Sequence, residues 1–363
     1  MPSALFAPMT VGSLTVRNRV WVSPMCQYSV EERDGVPTDW HLVHLGSFAR
    51  GGAGLVMAEA TAVVPEGRIS AWDTGLWNDE QVAAWSRITE FIRSQGAVAA
   101  VQLAHAGRKA STQREWEGAG TLPIEEGGWE TVAPTASPFW NYDPPRALTA
   151  EEIGDVVQGF ADAARRAVRA GFDAVEIHAA HGYLIHQFLS PLSNERDDEW
   201  GGSLENRARL FIEVLRAVRA AVEVPVFVRV SATDWVEPEG LTLEETITLA
   251  QWAREEGADL YDVSSGGVAP GIKIPTAPGY QVPFATAIRE GAGIPVGAVG
   301  QIVESGQAEE IISSGSADAV FVARQFMRDP NLPLRWAGEL GEEIEWPIQY
   351  RRASRWPAPI EVE

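Results

Sequence analysis

His178, His181 and Tyr183 place two imidazoles and a phenol in one short stretch, His178-Ala179-Ala180-His181-Gly182-Tyr183. Paired histidines can bind a metal, but no Asp or Glu lies nearby to complete a third ligand. A pair of donors to a carbonyl oxygen is the better reading. His41 and His44 repeat the spacing inside the first helical segment and are read as structural. Lys109 could form a Schiff base, but Arg108 and a glycine-containing loop do not describe the desolvated amine that such chemistry needs. Arg229 interrupts the apolar run Val226-Phe227-Val228-Arg229-Val230, where a cation demands a buried carboxylate or an anionic ligand. Gly300 and Arg324 pair a tight turn with a cation, the makings of a phosphate site. The lone cysteine, Cys26, excludes an intrachain disulfide, a four-thiolate cluster and a cysteine-rich zinc site. Taken alone, such a residue is usually a small buried hydrophobe.

The elements that must position these side chains alternate regularly. Short runs rich in Val, Ile and Ala cover residues 19–25, 54–60, 97–104, 173–178, 226–231, 259–264, 294–299 and 317–323. They read as parallel strands buried on both faces. Amphipathic helical segments lie between them. Asn78 with Gln81, Thr149 with Glu152 and Thr242 with Glu245 match capping boxes, in which side chain and backbone satisfy each other's unpaired donors. The glycines of Gly171-Phe172-Asp173, Gly257-Ala258-Asp259 and Gly315-Ser316-Ala317-Asp318 end helices where strands begin. Pro225 and Pro295 open two further strands, where no ladder donor is needed. The pattern predicts an α/β fold, a (β/α)8 TIM barrel, with residues 1–363 forming a single domain. A doubly wound sheet is the alternative, but neither G-x-G-x-x-G nor a P-loop occurs in the required context.

In such a barrel the chemistry sits at the C-terminal ends of the strands. There the sequence offers Ser23-Pro24-Met25-Cys26-Gln27-Tyr28, Glu59-Ala60-Thr61, Gln102 with His105, the His178 to Tyr183 stretch, Arg229 with Ser231 and Asp234, Ser264-Ser265, Gly300, and Ala323-Arg324. The long irregular loop 114–147, after the third strand, is expected to cover this mouth. The fourteen tryptophans are read as packing and pocket walls.

These motifs together resemble the old yellow enzyme family of FMN-dependent ene-reductases, most closely its bacterial thermophilic-type subclass. The likeness runs from Leu5-Phe6-Ala7-Pro8 to Gln349-Tyr350-Arg351-Arg352 and is sharpest at Ser23–Tyr28, at Gln102-Leu103-Ala104-His105-Ala106-Gly107-Arg108, and at His178–Leu184. Leu189-Ser190-Pro191-Leu192-Ser193-Asn194-Glu195-Arg196 and Asp198-Glu199-Trp200-Gly201-Gly202-Ser203 continue it. The resemblance implies NAD(P)H-driven reduction of the activated C=C bond of α,β-unsaturated carbonyl compounds, with FMN as cofactor and NADPH or NADH as donor. By that implication Ser23, Pro24, Met25 and Cys26 line the flavin, and Ala60 and Gln102 contact its ring. Arg229 lies beside the pyrimidine edge, while Gly300, Ala323 and Arg324 bind the phosphate. Ala323 stands where many relatives have glycine, a change that a backbone amide contact survives. His178 and His181 hold the substrate carbonyl, Tyr183 gives the proton, Tyr28 lies near the substrate and Cys26 tunes the redox potential. An arginine near the C-terminus, Arg352 with Arg351 and Arg355 as rivals, reaches a neighbouring subunit of a homodimer or homotetramer; the tail from about residue 340 would make that contact.

Composition narrows the alternatives. With 29 basic and 50 acidic side chains the formal net charge is 29 − 50 = −21, which argues against general binding to nucleic acid or anionic lipid. No apolar run approaches the roughly 18 residues of a membrane span. Met1-Pro2-Ser3-Ala4-Leu5 carries no basic region followed by an apolar core, so a cytoplasmic location is expected. Barrel flavoproteins that also carry an iron–sulfur cluster are excluded by the single cysteine. Flavin-free readings remain, a Schiff-base lyase using Lys109 or a metal hydrolase using His178 and His181. So does a non-catalytic barrel, against which the joint presence of both histidines and the phenol weighs.

Overall fold

The computed structural model describes residues 2–354, so Arg355 and the end of the C-terminal tail lie outside the described residues. An antiparallel hairpin comes first, β1 (Met9–Val11) and β2 (Leu14–Val16). Then follow β3 (Val20–Val22), α1 (Asp39–Arg50), β4 (Leu55–Ala62), α2 (Asp79–Ser94) and β5 (Val98–Ala104). The long loop holds a two-residue parallel pair, β6 (Val132–Ala133) and β7 (Arg146–Ala147). The second half runs α3 (Ala150–Arg169), β8 (Ala174–Ala179), α4 (Leu184–Leu189), α5 (Leu204–Ala221), β9 (Val226–Ser231), α6 (Leu243–Glu255) and β10 (Leu260–Ser264). It ends α7 (Val282–Ala292), β11 (Val296–Val299), α8 (Ser305–Ser313), β12 (Ala319–Val322), α9 (Arg324–Arg328) and α10 (Leu332–Glu339).

Eight parallel strands close the barrel in the order β3-β4-β5-β8-β9-β10-β11-β12, with β12 pairing back to β3. Every expected strand is present within a few residues. The three capping boxes form as the sequence requires, and Gly171, Gly257 and Gly315 all adopt positive φ. Thr38 and His41 make a further capping box on α1 that the sequence reading did not identify. His41 also contacts buried Glu59 at 3.2 Å, and His44 packs its ring edge-on against Phe48, so both are structural as read.

Strand parity separates two layers. Val175, Ile177, Val226, Val228, Val230, Tyr261 and Val263 face the helices in the main core. Trp21, Leu55, Met57, Ala100, Ala174, Phe227, Leu260 and Phe321 fill the barrel interior. Trp21 stacks on Phe227 and meets Phe321 edge-on, and Met9, Val11 and Val16 of the N-terminal hairpin close this floor from below. One step higher along the same inward parity stand Gln102, Glu176, Arg229 and Asp262, all buried. The strands are therefore not apolar on both faces; the inner face turns from aromatic to charged as it rises toward the mouth.

At the opposite end, one device repeats three times. Asp173, Asp259 and Asp318 each precede a strand and accept the backbone N–H of the neighbouring strand's start, from Ala99, Val226 and Val296 at 3.0, 2.8 and 2.9 Å. Each also meets an arginine from a nearby helix, Arg93, Arg219 and Arg289 respectively. An unmet buried amide costs about 1–3 kcal/mol. Asp318→Ala is accordingly expected to lower stability by about that amount, with flavin content and turnover unchanged. Denaturant unfolding and a turnover assay check both halves.

Candidate active site

Cys26, Tyr28, Ala60 and Tyr183 converge in one cluster at the mouth, packed with Ile69, Ala104, Ala106, Ala110 and Trp129. Burial pushes the Cys26 thiol well up, and the nearby Asp73 and Glu59 carboxyls add to it. Burial likewise raises the phenols of Tyr28 and Tyr183, with Cys26 the next cause in each case. All three groups therefore hold their protons at neutral pH.

His178 stands at the inner end of β8, with its ring 5.2 Å from that of His181 and 4.9 Å from that of Tyr183. Its Nδ1 accepts the Ala180 N–H at 3.3 Å, which assigns the hydrogen to Nε2. His181 adopts a left-handed φ of 58°, costly for a residue with a Cβ. It is held there by its N–H on Ser231 Oγ at 3.0 Å, by Lys109 Nζ on its carbonyl at 2.8 Å, and by a 2.7 Å bond between Nε2 and Ser264 Oγ. Burial lowers both imidazoles well below the ordinary value, and Arg229 pushes in the same direction. Both are therefore neutral imidazoles rather than imidazoliums.

Beneath them lies the charged layer. Gln102, opposite Ala60 in the β4–β5 register, donates to Glu176 Oε1 at 2.8 Å. Arg229 Nε is 3.1 Å from Asp262 Oδ2. Burial raises Glu176, further raised by Asp262, whereas Asp262 is raised by burial and held back by Arg229. Among the described residues no further protein acceptor meets the guanidinium of Arg229 beside that ion pair. The carboxylate partner anticipated for Arg229 is Asp262. Glu176 was not singled out, yet its place one inward step below His178 is the signal that could have found it.

At the rim, Gly300, Ala323 and Arg324 line one cavity together with Gln301, Gln325 and Arg328. Gly300 has a φ of 117°, and a Cβ there would stand 2.7 Å from Gln281 Nε2. Glycine is therefore required. Ser23 is buried, and Pro24 and Met25 are half-buried at the end of β3. FMN fits these residues: a buried guanidinium with a single carboxylate partner for its electron-rich ring edge, and a recess with two arginines for its phosphate. Arg352 is exposed in the turn Ile348–Ala353 and makes no hydrogen bond or ion pair to a mouth residue among the described residues.

The 114–147 loop reaches the mouth. Trp116 meets Tyr28 edge-on, Phe139 lies 4.6 Å from Lys109 Nζ, and Arg108 holds the Ser137 carbonyl at 3.2 Å. Lys109 corrects one expectation. Its amine is desolvated after all, lowered by burial and by Arg108 to about 8. Both of the carbonyls that hold it, of His181 and Gly267, come from loops distant in sequence.

Comparison with known proteins adds the following. Residues 4–343 match the model of the NADH:flavin oxidoreductase / NADH oxidase family. The chain is 47% identical over 356 residues to the NADPH dehydrogenase of Geobacillus thermodenitrificans, covering 98% of this chain and 100% of that one. It superposes on the old yellow enzyme homologue from Zymomonas mobilis with a TM-score of 0.78 and 31% identity, covering 98% of this chain and 100% of the other. It also superposes on 2-naphthoyl-CoA reductase, solved with 2-naphthoyl-CoA, with a TM-score of 0.84 and 29% identity; 93% of this chain spans 52% of that longer one.

Buried His105, with its pKa lowered by burial to about 4, sets a pH dependence. The unfolded chain binds a proton near pH 6.5 that the folded chain refuses until about 4, so this contribution is full above about 6.5 and fades as pH falls. Between pH 7 and 5 the wild type is expected to lose more unfolding free energy than His105→Gln, by on the order of 2 kcal/mol. Parallel urea titrations at the two pH values measure the difference, and equal losses would contradict it.

Proposed function

This chain belongs to the NADH:flavin oxidoreductase / NADH oxidase family, and on that premise we propose that it reduces the activated C=C bond of α,β-unsaturated carbonyl compounds. It is a flavin-dependent NAD(P)H oxidoreductase of the old yellow enzyme type, with FMN as its cofactor and a nicotinamide as hydride donor. Bound FMN would supply the hydride chemistry, accepting a hydride from NADPH or NADH and delivering it to the β-carbon of the alkene. In this reading Ser23, Pro24, Met25 and Cys26 line the flavin, Ala60 and Gln102 touch its ring, and Arg229 faces its pyrimidine edge. Gly300, Ala323 and Arg324 hold its phosphate.

The observation that carries the reading is the meeting of two neutral imidazoles and a proton-bearing phenol, with ring separations of 5.2 and 4.9 Å. As hydride arrives at the β-carbon, negative charge gathers on the carbonyl oxygen. His178 and His181 donate to that oxygen without having to lose or gain a proton, so their geometry is ready before the charge forms. Tyr183 gives its proton to the α-carbon. Tyr28 bounds the substrate space, and Cys26, a neutral thiol beside the flavin, adjusts its potential. The enzyme acts in the cytoplasm as a homodimer or homotetramer, with Arg352 of one subunit reaching the mouth of its neighbour.

Two variants test these roles. His178→Ala is expected to keep FMN and to lose about 10²–10³-fold in cyclohexenone reduction, with weaker binding of phenolic ligands. Normal enone turnover in this variant would refute the carbonyl assignment. Tyr183→Phe is expected to slow alkene-dependent flavin reoxidation far more than NADPH-driven reduction, as stopped-flow traces of the two half-reactions would record; equal slowing would remove Tyr183 from the proton-donor role.

A further inference from the structure

Lys109 ends the turn Gly107–Lys109 after β5, and its ammonium is tied down on four sides. Its Nζ donates to the carbonyls of His181 at 2.8 Å and of Gly267 at 3.2 Å. It also lies 4.6 Å from the ring centre of Phe139 and 5.0 Å from that of Tyr183. No carboxylate is paired with it among the described residues. The two loops that it bridges are in backbone contact: a Cβ on Gly182 would stand 2.3 Å from the Gly267 carbonyl oxygen, and one on Gly267 would stand 2.7 Å from His181 Cα. The ammonium is thus fixed over the face of the phenol and cannot swing away without releasing both carbonyls. A desolvated cation without a counter-ion is costly in the resting protein, and it gains strongly from any negative charge that forms beside it.

We propose that Lys109 is a positioning residue whose charge supports the phenolate left when Tyr183 gives up its proton. The proposal rests on the proton-donor reading of Tyr183. In that step the Tyr183 O–H bond breaks, a C–H bond forms at the substrate α-carbon, and the O–H electron pair stays on the phenolic oxygen. Water later returns the proton. At the start of the step the phenol is neutral and gains only a cation–π contact from the ammonium. At its end a full negative charge on the same ring faces a cation in a water-poor site, where Coulomb attraction is strong. The differential favours the product side of proton transfer, which is what lowers a barrier. Cys26, Asp73, Tyr142 and Glu115 all oppose the ionisation of Tyr183 and the neighbouring His178 is held neutral, whereas the Lys109 ammonium, 5.0 Å from the ring centre, carries the helpful sign.

Lys109→Met keeps the apolar stem and removes the charge; Lys109→Arg keeps the charge. With cyclohexenone as oxidant, Lys109→Met is expected to slow flavin reoxidation about ten- to a hundredfold, while flavin reduction by NADPH changes little and Lys109→Arg recovers most of the loss. Binding of 4-hydroxybenzaldehyde, read by calorimetry, should be retained in Lys109→Met, because the imidazole donors stay in place. In a Tyr183→Phe background, adding Lys109→Met should cost nothing further, since the charge it supports no longer forms. Unchanged reoxidation in Lys109→Met would overturn the proposal. So would the same loss in the Tyr183→Phe background, or weakened phenol binding with equal loss from both half-reactions, each of which marks a plain loop staple. If Tyr183→Phe itself reoxidised normally, the proton-donor reading would fall instead, and the two failures are told apart.

Discussion

A buried guanidinium governs this molecule. Arg229 points into a barrel whose lower interior is filled by Trp21, Phe227 and Phe321, so its charge cannot be met by water from below. Asp262 takes one side of it at 3.1 Å, and Glu176, linked to Gln102, adds a second carboxyl to the same layer. Removing Asp262 would leave a less balanced buried charge, the situation that destabilises far more than an absent pair does. The same cation reaches upward. It helps to hold His178 and His181 neutral.

The upper layer follows from that constraint. Two neutral imidazoles can share one oxygen atom, whereas two imidazoliums beside Arg229 would repel one another and it. Holding them takes backbone that a free chain avoids. His181 sits at positive φ, secured by Ser231, Ser264 and Lys109 from three other elements. Gly182 and Gly267 are needed at the same place because the two loops touch through their backbones. Strain of this kind persists only where several contacts oppose its release.

Much of this was legible beforehand. The capping boxes at Asn78, Thr149 and Thr242 and the glycines at 171, 257 and 315 are local devices, completed within a few residues, and they form where the sequence places them. Other features depend on partners far along the chain. The N-terminal hairpin was not foreseen, since its apolar side chains only make sense beneath the barrel. Glu176 gives no signal of its own in the sequence; its inward parity sets it beside Gln102 only in the closed barrel. The sequence neighbours of Lys109 do not describe a desolvated amine, because the groups that surround it come from Phe139, His181 and Gly267. The many tryptophans divide into plugs such as Trp21, Trp85 and Trp336 and partners for arginine, with Arg33 and Arg114 over Trp72 and Arg68 over Trp129.

By itself the sequence determined the alternation of strands and helices, their caps and stops, and the identities of the polar residues at the strand ends. Those properties follow from side-chain periodicity and from hydrogen bonds that close over three or four residues. Only the tertiary structure decided which protons the site holds. The neutrality of His178 and His181, the raised thiol of Cys26 and the desolvated ammonium of Lys109 arise from burial and from charges on other strands, and those distances come into being when the barrel closes.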